Sequence, residues 1–336
     1  MELRHDFASD NTAGAAPEAM QALIEANAGH AAAYGADTVT ARAADAVRAL
    51  LDTDAEVRFV ASGTAANALA LSALCRPFES VLAHRDAHVM TGEAGAPALF
   101  GHGLGLTGLS GASGRIDPTA LHDALAAPEA SYRQAPAALS LTNATEYCTL
   151  YGAGELVALA GLAKGKGLGI HLDGARLANA AAAGFEVKSL SRVGIDILVL
   201  GGTKAGMPLS EALVLFDKSL SRRLDARLKQ TGQLPSKGRF LAAPWLGMLE
   251  SGAWTARAAH ANSMARKLAA LMPYEVVHPV EANGVFAAMD DAALARLHAE
   301  GWSVHRAGDR TARFMCSWAT TEAAVEEMGE ALKRGA

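Results

Sequence analysis

Short apolar runs that end in small polar turns, each followed by a helix-length segment, recur along most of this chain and constrain its fold more than any other feature. Residues 57–61 predict a strand, 64–74 a helix, 80–83 a short strand and 104–109 a further apolar run. The pattern continues with a helix at 117–126, a strand at 137–141, a helix at 155–164, a strand at 168–172 and, after an intervening helix, a strand at 195–200. Two helices precede this series. One covers 17–28, with Pro17 in its first turn and Gly29 past its end, and the other covers 38–51. A strand at 211–216 leads into a long helix at 218–229. Strands joined through helices pair in parallel, because the crossover needs a dozen residues or more. The expected class is therefore α/β with a mainly parallel sheet.

The pattern changes after Leu234-Pro235-Ser236-Lys237-Gly238. Two helical stretches, 241–250 and 254–271, precede short strands around Val276, 285–289, Val304 and 313–316, with helices at 292–299 and 321–333. The expected division is an N-terminal arm and large domain over 1–245 and a smaller C-terminal α/β domain over 246–336. A chain of 336 residues with 51% hydrophobic residues has enough apolar mass for both.

Charge and cysteine usage narrow the function. A formal net charge of −5 without a dense Lys/Arg run argues against a nucleic-acid or anionic-lipid surface and favours a small-molecule partner. The opening residues lack a signal-peptide core and no stretch is apolar for long enough to span a bilayer, so the expectation is a cytoplasmic protein with no membrane partner. Cys75, Cys148 and Cys316 are scattered and lack CxxC spacing, which fits reduced thiols. His84 and His88 stand four apart without a third ligand nearby, so no metal is expected. Gly103-Leu104-Gly105-Leu106-Thr107-Gly108 fits a dinucleotide fingerprint in spelling alone, since no helix pattern follows it.

The chemistry concentrates at two strand ends. In His171-Leu172-Asp173-Gly174-Ala175-Arg176 an apolar strand ends in an acid; in Gly201-Gly202-Thr203-Lys204 another delivers a lysine. About thirty positions separate Asp173 from Lys204, the length of one strand-helix-strand crossover, so both can face one cleft. An acid and a lysine in one cleft suit pyridoxal 5′-phosphate (PLP). The amine condenses with its aldehyde, and the carboxylate keeps its pyridine nitrogen protonated so that the ring accepts electrons from a substrate Cα. Ser62-Gly63-Thr64-Ala65-Ala66-Asn67 opens a helix after a strand and offers free N–H groups and hydroxyls to a phosphate. His88, in the loop after the strand at 80–83, can stack on a ring or shuttle protons.

In order along nearly the whole chain, Phe7 to Gly14, Tyr34 to Asp37, Ser62 to Asn67, Ala87-His88, Glu93-Ala94-Gly95, Ser140 to Asn143, His171 to Arg176, Gly201 to Lys204 and Lys237-Gly238-Arg239 resemble the threonine aldolase family, in the β-eliminating lyase group of fold-type I PLP enzymes. The resemblance implies that His88 stacks on the ring, Asp173 pairs with its nitrogen, Lys204 forms the Schiff base, and Ser62, Gly63, Thr64 and Thr203 help seat the cofactor. Arg176 and Arg313, with Ser9, would hold the substrate carboxylate. Tyr34 and Arg239 would arrive from a neighbouring subunit of a dimer or a dimer of dimers (a homotetramer). Ala205 stands where relatives often carry Asn or Gly, and Ser131-Tyr132-Arg133 where some carry a second histidine, so the base for the substrate hydroxyl is not assigned. The implied reaction is retro-aldol cleavage of threonine-like β-hydroxy-α-amino acids, phenylserine among the candidates, to glycine and an aldehyde. The same residues would also serve β-elimination, transamination or a non-catalytic PLP-binding protein.

Overall fold

The computed structural model describes residues 3–128 and 132–334. Seven strands form one sheet: β1 (Glu56–Val60), β2 (Glu79–His84), β3 (Gly105–Leu109), β4 (Ala135–Thr142), β5 (Gly169–Gly174), β6 (Ile197–Gly201) and β7 (Glu211–Leu215). Their spatial order is β1-β7-β6-β5-β4-β2-β3. Strands β2 to β6 pair in parallel, while β7 runs against both β1 and β6. The mainly parallel sheet expected from the alternation is therefore present. Helices cover both faces, so the central strands are uninterrupted apolar runs, such as the buried Ile197-Leu198-Val199-Leu200 of β6.

Several helices begin where their capping chemistry sits. Asp37 accepts the Thr40 N–H at 2.8 Å and starts the helix Thr38–Leu51, whose Ala43, Ala44, Val47 and Leu51 form its buried stripe. The expected single helix at 218–229 is corrected by the structure. A 3₁₀ turn, Lys218–Ser221, is separated from the helix Leu224–Gln230 by Arg223, whose φ of 61° breaks the helical path. Around Val276 there is only an isolated bridge to Ala287, not a strand. The short helix Ala96–Phe100 had no periodic signal to announce it.

A second, antiparallel sheet has β8 (Gly284–Ala288), β9 (His305–Arg306) and β10 (Thr311–Met315) in the order β8-β10-β9. Its core includes Val285, Leu297, Phe314 and Met328, and the arm's fully buried Phe7 joins it. The helix Ala253–Leu271 ties the two sheets together, burying Trp254 in the large core and Leu268 in the smaller one. Among the described residues no helix is long and apolar enough to cross a membrane.

This topology opens the carboxyl ends of β1, β2, β4, β5 and β6 along one edge, where ligands collect in open α/β sheets. Register places Glu211 of β7 opposite Gly201 at that same edge. The turn beyond β6 is crowded. A Cβ at Gly201 would lie 2.3 Å from the Ala175 carbonyl oxygen, and one at Gly202 2.3 Å from that of Ser210. Gly201→Ala is therefore expected to cost about 1–3 kcal/mol in urea unfolding through backbone displacement. Gly161→Ala, at an exposed helical position with open space around it, should gain up to about 1 kcal/mol. Equal stability in both variants would contradict the crowding.

Candidate active site

A cavity of about 490 Å³ lies at the carboxyl edge of the large sheet, a size suited to a small molecule. The turn after β1 contributes Ser62, Gly63 and Thr64 to its wall, and the segments after β5 and β6 contribute Asp173, Arg176, Thr203 and Lys204. His88 enters from beyond β2, Ser9 from the N-terminal arm, and Arg313 from β10 of the smaller sheet. Ten of the residues singled out in the sequence thus meet in one place. Tyr34 and Arg239 do not. Tyr34 lines a separate cavity with Gly238, Arg239 lines another with Ser236 and Lys237, and the Tyr34 N–H donates to the Ser236 carbonyl at 3.0 Å. Ser131 lies outside the described residues.

Asp173 ends β5 with both oxygens held. Asn67 Nδ2 donates to Oδ2 at 2.9 Å and the Ala175 N–H to Oδ1 at 2.9 Å. The same Asn67 amide donates to Glu93 Oε1 at 2.8 Å, and that oxygen meets His88 Nδ1 at 3.0 Å. A buried amide therefore couples the acid at the end of β5 to the acid that orients His88. His88 is not in a loop, as the sequence suggested, but opens the one-turn helix His88–Thr91. The ring stands over Gly92, where a Cβ would come within 2.7 Å of Nε2. The bond from Glu93 holds the His88 pKa above the ordinary imidazole range, against the opposing effect of burial, and the charge of Asp173 adds to the rise.

Lys204 makes no hydrogen bond or ion pair with any described residue. Beside it, Thr203 Oγ1 accepts the Ser210 N–H at 3.3 Å, and Glu211 Oε2 accepts the Gly202 N–H at 2.7 Å. These bonds fix the backbone that delivers the lysine. Ser62 caps the helix Gly63–Leu74 by accepting the Ala65 N–H at 3.3 Å, and a Cβ at Gly63 would enter open space. That space sits at a helix N-terminus of the kind that binds phosphate. A free lysine, an anchored strand-end acid and an open helix N-terminus on one cavity form a donor set that fits PLP.

The two arginines differ sharply. Arg176 is clamped by Asp10, with Nε to Oδ2 at 2.6 Å and Nη2 to Oδ1 at 3.0 Å, and Asn283 adds a bond to Asp10 at 3.1 Å. Burial alone would raise the Asp10 carboxyl, but Arg176 outweighs it and holds the pKa at about 2. This depressed carboxyl stabilises the fold above the ordinary carboxylate range, and the contribution is lost as pH falls toward about 2. Arg313 has no such acid. Its Nη2 donates to the Ala8 carbonyl at 3.3 Å, its buried Nε has no partner, and burial together with the charge of Arg176 lowers its pKa. It sits on β10, the middle strand of its sheet.

Sequence reasoning gave no role to Asn67, Glu93, Asp10, Glu146 or Glu211. Glu146 and Glu211 also line the cavity. The available signal for Glu146 was positional, since it lies just past the end of the buried strand β4, beside the strand that ends in Asp173.

The sheet order, the carboxyl-edge cavity and the lysine and acid that line it define an α/β enzyme with a small-molecule site. The chain belongs to the beta-eliminating lyase family, whose model matches residues 6–292. A low specificity L-threonine aldolase from a Pseudomonas sp. is 46% identical over 329 residues, covering 96% of this chain and 95% of that protein. A solved threonine aldolase from Leishmania major superposes with a TM-score of 0.91 at 29% identity, covering 98% of each chain. A variant of serine palmitoyltransferase from S. paucimobilis, solved with PLP and myriocin bound, shares the fold alone, with a TM-score of 0.71 at 16% identity over 98% of this chain and 86% of that one.

The His88–Glu93 contact predicts a titration. Replacing Glu93 with Gln should move the His88 midpoint down toward the ordinary imidazole range in an NMR titration. The raised midpoint stabilises the fold fully below that ordinary range, and its contribution fades as pH rises through the folded value. The variant should lose that dependence. An unmoved His88 midpoint would show that the contact does not set its charge.

Proposed function

We propose that this chain is a PLP-dependent aldolase that cleaves L-threonine, L-allo-threonine and related β-hydroxy-α-amino acids, phenylserine included, to glycine and an aldehyde. Membership of the beta-eliminating lyase family and the names of the two threonine aldolase relatives support the reaction class. The observation that carries the substrate class is Arg313, a half-buried guanidinium with a buried, unpartnered Nε on the cavity that also holds Lys204 and Asp173. A planar carboxylate satisfies a guanidinium fork better than any neutral group.

When bound, PLP supplies an aldehyde with which Lys204 condenses and a ring that takes up electron density from the substrate Cα. Lys204 would hold it, Asp173 would pair with its pyridine nitrogen, His88 would stack on its ring, and Ser62, Gly63, Thr64 and Thr203 would seat its phosphate. Arg176 is pinned by Asp10 and offers a fixed cation, while Arg313, helped by Ser9, turns the substrate carboxylate toward the smaller sheet. Holding the carboxylate there would fix the orientation of the substrate Cα in the cavity.

The proposal extends to the assembly. Tyr34 and Arg239 lie on neighbouring segments outside their own chain's cavity, which suits a role in a second subunit's site within a dimer or dimer of dimers. A cytoplasmic location and a domain boundary near residue 245 belong to the same reading.

An aldehyde-release assay with L-threonine, L-allo-threonine, their D forms and phenylserine tests this proposal. Aldehyde and glycine should form in equal amounts from the L substrates, and Arg313→Leu should lower kcat/KM about 10- to 100-fold, chiefly through KM. A keto acid, or ammonia without glycine, would instead establish transamination or β-elimination.

A further inference from the structure

The β-hydroxyl of an aldol substrate must lose a proton as the carbon–carbon bond breaks, and the cavity contains several candidate acceptors. Asp173 has both oxygens bonded, to Asn67 and to the Ala175 N–H. Glu211 is held by the Gly202 N–H and by the Thr203 side chain, and Glu93 is not part of the cavity wall. His88 has Nδ1 engaged by Glu93, and its Nε2 lies over Gly92. Glu146 is different. It lines the cavity, its Oε1 accepts the His88 backbone N–H at 2.8 Å, and its buried Oε2 has no partner. One oxygen anchors the side chain and the other remains open.

We infer that Glu146 is the base that takes the β-hydroxyl proton during cleavage, an assignment that rests on the aldolase reading above. The O–H bond breaks as its proton moves to Oε2, and the O–H electron pair becomes the second carbon–oxygen bond of the aldehyde. The Cα–Cβ pair stays on Cα, which takes up a proton to leave glycine, while Glu146 releases its own to solvent. The charges around Glu146 suit this cycle. Asp173 faces it from the end of β5, Arg176 from the segment that follows, His88 from the short helix, and Tyr147, Cys148 and Tyr151 from its own loop. Burial first, then the negative charge of Asp173, pushes the Glu146 carboxyl up to about 7, against the bond from the His88 N–H. A base that titrates near neutrality both accepts and returns a proton readily.

The test compares wild type with Glu146→Gln, which keeps an oxygen for the His88 N–H, and with Glu146→Asp, which keeps the carboxyl. Three readouts are taken: threonine cleavage against pH, exchange of the glycine Cα proton with deuterated solvent, and infrared spectra of the cofactor-free protein. In wild type, kcat/KM should rise with pH through about 7, because the ionised form is the active one. Glu146→Gln should lower cleavage about 10²- to 10⁴-fold and abolish that rise, while glycine exchange, which involves no β-hydroxyl, is retained. Glu146→Asp should recover part of the rate along with the pH dependence. Cofactor-free wild type should show a protonated-carboxyl stretch that grows as pH falls through about 7 and is missing in Glu146→Gln.

Unchanged cleavage in Glu146→Gln, or equal loss of cleavage and glycine exchange, would overturn the assignment. Failure of the aldolase reading looks different: wild type would exchange the glycine proton without releasing aldehyde, and the assignment would fall with it.

Discussion

The anchoring of Asp173 at the end of β5 is the constraint on which the site depends. A carboxylate shielded from water is costly unless donors surround it. Here a backbone N–H and the Asn67 amide supply those donors. Asn67 lies on the helix that begins at Gly63, so the residue that holds the acid belongs to the element whose N-terminus borders the cavity. The same amide reaches Glu93, which orients His88. Asp173, the helix N-terminus at Gly63 and the His88 ring are therefore fixed relative to one another by a single buried side chain.

Charge is distributed unevenly around this frame. Asp10 neutralises Arg176 and leaves Arg313 with a buried, unsatisfied donor, so the pair forms a rigid cation beside an open one. The acids divide in a similar way. Asp173 and Glu211 each have a side-chain partner as well as a backbone donor, while Glu146 has a backbone donor alone, keeps an unbonded oxygen and has a pKa near neutrality. Two sheets contribute to this arrangement, and Phe7 of the arm is buried in the smaller sheet's core while Ser9 and Asp10 follow into the cavity region. The buried contact of the arm thus places residues that the large sheet alone could not supply.

Much of this was legible in the residues. Asp173 and Lys204 could be paired because each closes an apolar run, and parallel topology brings such ends to one edge. Ser62 was readable as the start of a helix, and Asp37 caps the helix expected at 38–51. Glu93 and Asn67 acquire their roles only when a helix and a turn distant in sequence converge, which periodicity does not encode. The break at Arg223 was hidden because the flanking residues, Leu220, Leu224 and Leu228, keep helical spacing while φ does not. Tyr34 and Arg239 fall outside the cavity of their own chain, and only a resemblance suggested a use for them.

The most direct test of the account is to incubate the protein with PLP, reduce it with borohydride, and map the modified peptide by mass spectrometry. Reduction converts a lysine–PLP adduct into a stable amine that survives digestion. The account predicts the added mass on Lys204, and a marked loss of labelling when Asn67 or Asp173 is replaced by Ala. Label on another lysine, or equal labelling when Lys204 is replaced by Ala, would contradict it.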